Sequence, residues 1–147
     1  MAFLNSINIS ASSLTAEKLR MDVISRNIAN VNTTRTADGT PYRRQVVVFQ
    51  EGDKQMSFSD YLSDASKSLI GSGVKVTGIT EDKTPFKSVY DPGHPDADEE
   101  GYVKMPNVDV MTEMVNMISA SRAYEANVTA INSAKSMAVK ALEIGKG

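Results

Sequence analysis

Residues 108–144 read VDVMTEMVNMISASRAYEANVTAINSAKSMAVKALEI, and this stretch decides the fold. It contains neither Gly nor Pro; Pro106 stands before it and Gly145 after it. Pro ahead and Gly behind is the punctuation expected of a helix. Met111, Met114, Ile118, Tyr124, Val128, Ile131, Ala138 and Leu142 recur at steps of three and four residues or their sums, which is the helical period. Ala120, Ala123, Ala126, Ala130, Ala134 and Ala141 raise helix propensity and permit close approach of a neighbour. At about 1.5 Å per residue the helix spans roughly 55 Å.

The other end of the chain behaves alike. Ile7, Leu14, Met21 and Ile28 fall seven apart, and Leu4, Ser10, Glu17, Ile24 and Val31 occupy the half-heptad positions less cleanly. A helix over 4–31 of roughly 42 Å follows. Asn30, Asn32, Thr33 and Thr34 compete with helical hydrogen bonding and end it. Two readings fit Asn27, Asn30 and Asn32. They cap and terminate the helix, or their amides bond across a subunit contact and fix its register.

Between the ends the period changes. Tyr42–Gln50 is rich in β-branched and aromatic residues, Val74 and Val76 alternate with polar neighbours, and Phe86–Tyr90 and Tyr102–Met105 are further short strands. Asp38-Gly39 and Asp91-Pro92-Gly93 mark turns. Phe58, Tyr61, Leu62, Ala65 and Leu69 share one helical face, so a short helix is expected over 57–70. The expected fold is mainly α with a small β element. The terminal helices, 1–34 and 107–147, pair as a coiled-coil-like hairpin and form one discontinuous domain; 35–106 form a small β-rich domain. A stripe wide enough to include Val115, Met117, Met137 and Val139 exceeds what one partner helix hides. Other subunits are expected to cover the remainder, or the helices stay unfolded until they do.

Composition argues against most chemistry. The chain of 147 residues has no Cys and one His, which removes thiolate metal sites, Cys nucleophiles and multi-histidine metal centres. A net charge of −2 gives no footprint for nucleic acid. The longest run of large apolar residues, Val46–Phe49, is too short to span a bilayer. No cleavable secretory signal is legible, so a cytoplasmic place or export by another route is expected. Asp96, Asp98, Glu100 and Gly101 match positions 1, 3, 5 and 6 of a calcium loop, but Asn107 stands where the bidentate Glu belongs. A solvated turn is the better reading. His94 lies between Gly93 and Pro95 without an oriented partner, and a hydrolase using it with Asp91 or Asp96 ranks last. No metal, cofactor or catalytic residue is expected.

The segment Ser25-Arg-Asn-Ile-Ala-Asn-Val-Asn-Thr33 resembles the N-terminal signature of bacterial flagellar axial proteins, the rod and hook components. Three further stretches narrow the likeness to the proximal rod. They are Val89-Tyr-Asp-Pro-Gly-His-Pro-Asp-Ala-Asp98, Gly101-Tyr-Val-Lys-Met-Pro-Asn-Val-Asp-Val110 and Met114-Val-Asn-Met-Ile-Ser-Ala-Ser-Arg-Ala-Tyr-Glu-Ala-Asn127. Residues 51–72 fall outside the resemblance.

The resemblance implies a structural subunit of the rod crossing the periplasm, exported by the flagellar type III apparatus. Its expected partners are copies of itself in a helical assembly, other rod proteins and the components at the rod's base. The subunit-interface residues expected are Leu14, Met21, Ile24 and Ile28 facing Met114, Ile118, Tyr124, Val128 and Ile131, with Asn27 and Asn30 setting register. The alternative is a soluble helical adaptor or export chaperone that binds a single partner.

Overall fold

A computed structural model describes residues 2–52 and 73–145; the short helix expected over 57–70 lies outside them. In chain order the elements are α1 (Ala2–Ala29), β1 (Gln45–Glu51), β2 (Val74–Glu81), β3 (Lys87–Tyr90), β4 (Tyr102–Met105) and α2 (Val110–Ile144). Two long terminal helices thus flank small β elements. β1 pairs with β2, and β3 pairs antiparallel with β4 in the register Lys87↔Met105 to Tyr90↔Tyr102.

The element ends have local causes. α1 stops at Ala29 because the Asn30 amide donates to the Arg26 carbonyl at 2.9 Å, closing off the last turn. α2 starts at Val110 because Asp109 caps it: one carboxylate oxygen accepts the Met111 N–H at 3.3 Å, the other the Thr112 hydroxyl at 2.9 Å. β1 begins three residues later than expected. The Arg44 N–H goes to the Asn107 side chain at 2.8 Å, while its carbonyl accepts the Asp82 N–H at 2.8 Å.

The chain divides into two compact units, and both long helices contribute to both. The first comprises Met1–Lys18, Phe49–Thr77 and Ser121–Gly147. Among its described residues Ala16 and Ala134 are the buried apolar side chains. The Asn127 amide donates to the Ser13 hydroxyl at 3.0 Å, and the Ser12 hydroxyl accepts the Val74 N–H at 3.1 Å. Gly73 sits at φ +82°, where a Cβ would collide with the Ser12 hydroxyl.

The second unit comprises Leu19–Val48 and Gly78–Ala120. Its buried apolar residues are Val23, Ile24, Val103, Val108 and Ala120, with Pro106 also fully enclosed. Gly101, at φ +81°, packs so closely on the Tyr90 ring that a Cβ would press against it. This seats Tyr90 edge-on to Tyr102, ring centres 5.3 Å apart.

Candidate assembly surface

Within the second unit, the first turns of α2 carry two stripes at the same helical spacing. Glu113, Asn116, Met117 and Ala120 form one, with Glu113 and Ala120 fully buried and the other two half-buried. Met111, Met114, Val115 and Ile118 form the other, exposed to 71%, 50%, 64% and 53%. At about 100° per residue the stripes lie on opposite sides of the helix. The carboxylate points in, and the thioethers and branched aliphatics point out.

The inward carboxylate is accounted for atom by atom. Glu113 Oε1 accepts from Arg44 Nε at 2.9 Å and Nη2 at 2.7 Å, and Oε2 accepts from Asn27 Nδ2 at 2.8 Å. Arg44 Nη1 reaches Asp82 at 3.2 Å. Asn27, 1% exposed, uses its full capacity. Its amide donates to Glu113 and to the Gln45 carbonyl at 2.8 Å; its oxygen accepts the Gln45 N–H at 3.0 Å and the Tyr42 hydroxyl at 2.9 Å. Asn107 extends the network. Its oxygen takes the Arg44 N–H, and its amide donates to the Asp82 carbonyl at 3.1 Å and the Thr84 hydroxyl at 2.8 Å. At both positions the side-chain amide supplies two N–H donors and an accepting oxygen, which no hydroxyl does.

The electrostatics follow from this geometry. Burial works against the Arg44 charge, but hydrogen bonds and attraction to Glu113, then Asp82, outweigh it and hold the guanidinium pKa above its ordinary value. The Thr84 N–H, and then Arg44, hold the Asp82 carboxyl below the usual range. Burial raises the Tyr42 phenol. A buried ion pair adds little net stability because desolvation offsets its attraction, yet removing one partner strands the other. The hub therefore fixes how α1, β1 and α2 meet in this unit more than it deepens the fold.

The outer stripe has no such partners. Four apolar side chains spaced i, i+3, i+4, i+7 make a continuous exposed strip, the pattern of a surface that meets another molecule. In the first unit a second apolar set, Met137, Val139, Leu142 and Ile144, is exposed to 64%, 46%, 71% and 83%.

The expected interface residues divide accordingly. Met114 and Ile118 lie on the exposed stripe. Leu14, Met21, Ile28, Asn30, Tyr124, Val128 and Ile131 are half-buried. Ile24 and Asn27 are buried, and the polar atoms of Asn27 are all engaged inside its own chain. Sequence reasoning missed Arg44, Glu113 and Asp82. It gave none of the three a role.

The acidic loop uses its carboxylates locally. Asp91 accepts the Gly93 N–H, Asp98 accepts those of Glu100 and Tyr102, and Asp96 accepts the Thr34 hydroxyl at 2.8 Å. His94 Nδ1 accepts the Asp96 N–H at 3.1 Å. Among the described residues no group of three or more acidic or histidine side chains is placed to hold a metal ion, and no helix is long and apolar enough to cross a membrane.

Comparison with known proteins meets the same two ends. Residues 7–35 match the family described as flagella basal body rod protein, and residues 99–144 match the C-terminal family of flagellar basal body rod FlgEFG proteins. Over its whole length the chain is 51% identical to the flagellar basal-body rod protein FlgC of Borreliella burgdorferi, with all of both chains covered. It is 51% identical to that of Bacillus subtilis and 46% to that of Escherichia coli O6:H1, in each case over 99% of this chain and all of the relative.

Proposed function

The chain belongs to the FlgC family of flagellar basal-body rod proteins, structural subunits located in the rod, and from that membership we propose how it works there. It polymerises through its terminal helices into a helical assembly that transmits torque across the periplasm. It does so by packing alone, without a catalytic step. It reaches the rod through the flagellar type III export apparatus, and its neighbours are its own copies, other rod proteins and the components at the rod's base.

The observation that carries this reading is the outer stripe of α2. A helical polymer needs heterologous contacts, one patch meeting a different patch on the next subunit. Removing apolar area from water stabilises by about 25 cal/mol per Å², so a strip left half in water in the single chain is a source of adhesion. Met114 and Ile118 contact a neighbouring subunit directly, together with Leu14, Met21, Ile28, Tyr124, Val128 and Ile131 where the half-buried faces continue. The helix pairing resembles a coiled coil in which Ile24 packs against the facing helix and Asn27 and Asn30 set the register. The terminal helices make the inner part of the subunit, and residues 35–106 make a small outer β domain.

Met114→Asp and Ile118→Asp test the reading. Each variant is expected to fold, because the replaced side chain already faces water, yet to be missing from purified basal bodies and to leave cells non-motile. Normal incorporation of both would refute the proposed packing. Wild-type protein that washes away from basal bodies would point instead to a soluble adaptor.

A further inference from the structure

We infer that Met111 and Met114 are a peroxide-sensitive modification site, and that their oxidation to methionine sulfoxide withholds the unassembled subunit from the rod. The inference rests on the reading of the outer stripe as an assembly surface. Thioether oxidation follows exposure of the sulfur. Met111 and Met114 are exposed to 71% and 50% and supply two of the stripe's four side chains, while Met105 and Met117, close by in sequence, are half-buried.

The chemistry balances with peroxide as the oxidant. The sulfur lone pair attacks one peroxide oxygen, the O–O bond breaks, and the products are the sulfoxide and one water. The sulfur is oxidised by two electrons and the peroxide is reduced. Each event puts a strongly polar S=O on a strip whose adhesion depends on excluding water. The fold is untouched, because Glu113, Arg44 and Asn27 lie on the opposite side of the helix and hold it there. Methionine sulfoxide reductases would restore the thioether and the surface.

All four methionines lie between Lys104 and Arg122 and leave trypsin digestion on one peptide, residues 105–122, so each serves as a control for the others. After brief treatment of the purified full chain with hydrogen peroxide, Met111 and Met114 should each carry sulfoxide severalfold more often than Met105 and Met117. Uniform oxidation of the four would overturn the assignment of the site. In cells, Met111→Leu/Met114→Leu keeps the stripe apolar without sulfur, and Met111→Gln/Met114→Gln imitates the sulfoxide. With Met137, exposed to 64%, replaced by leucine in every strain compared, the leucine variant should retain its basal-body number under sublethal peroxide while the parent with Met111 and Met114 loses it, and the glutamine variant should be poorly incorporated even without peroxide. Equal loss in the parent and the leucine variant, or full incorporation of the glutamine variant, would overturn the inference. If Ile118→Asp assembles normally, the interface reading fails. If Ile118→Asp is excluded while peroxide-treated wild type is incorporated, only the oxidation inference fails.

Discussion

The two parts of α2 differ in what they bury. Up to Ala120 the helix encloses Glu113 completely, against Asn27 and Arg44, and the five largest fully buried side chains of the described residues all belong to this unit. From Ser121 onward the only buried residue described is Ala134, 7% exposed, and the last turns expose Leu142 and Ile144 to 71% and 83%. One helix thus joins a unit with its own core to a unit whose described residues enclose little more than alanine. The difference teaches that the apolar surplus is not evenly spread. Among the described residues, one unit encloses a core whose elements are set in place by a polar hub and presents a stripe outward; the other keeps its large side chains at least partly in water.

The largest effect that would sharpen this contrast is at the hub. Arg44→Ala strands the Glu113 carboxylate in a buried site, and unfolding in urea should show a loss of about 3–5 kcal/mol. A loss below about 1 kcal/mol, the range of an exposed pair, would mean that the hub does not organise its unit. The other unit should answer to a close approach among its described residues. Gly73→Ala puts a Cβ against the Ser12 hydroxyl at a positive φ, and thermal unfolding should register more than about 1 kcal/mol of destabilisation.

The smallest effect is on pH. Asp82 is held below the usual carboxyl range by the Thr84 N–H, and Asp109 by the Thr112 hydroxyl. A depressed folded pKa contributes stability that is complete above the unfolded value, about 3.9, and is lost as pH falls through the folded value. Tyr42 has the opposite sign: burial raises its pKa, so its contribution holds below about 10 and is lost above that. These groups predict a flat melting temperature from pH 5 to 9, with a decline on each side.

Much of the fold was legible in the sequence because helices announce themselves locally. Absence of Gly and Pro plus a three–four spacing placed helices at 4–31 and 108–144, against Ala2–Ala29 and Val110–Ile144 in the structure. The end shifts come from side-chain caps, Asn30 and Asp109, whose choice of partner is not a matter of periodicity. The strand Tyr102–Met105 matches its expected bounds and pairs with Lys87–Tyr90 across the loop 91–101.

The hub was not legible. Arg44 and Glu113 are 69 residues apart in the chain, and Asn27 and Glu113 are 86 apart. A charged residue read alone belongs at the surface, so only three-dimensional pairing shows that Glu113 is inside. The same inversion hid which face of α2 points outward. Met114 and Ile118 carry the apolar pattern expected of a buried seam, yet the glutamate stripe takes the inner side. The expectation that apolar surface exceeds what one partner helix covers rested on the width of the stripe alone.

The most direct test of the central claim uses the absence of native cysteine. Ile118→Cys places a single thiol on the outer stripe, and its labelling by a maleimide reports whether that stripe is in water. The account predicts rapid labelling of the isolated full-length subunit and protection in intact basal bodies isolated from motile cells. Equally rapid labelling in both would contradict it, because the stripe would then be free of any subunit contact.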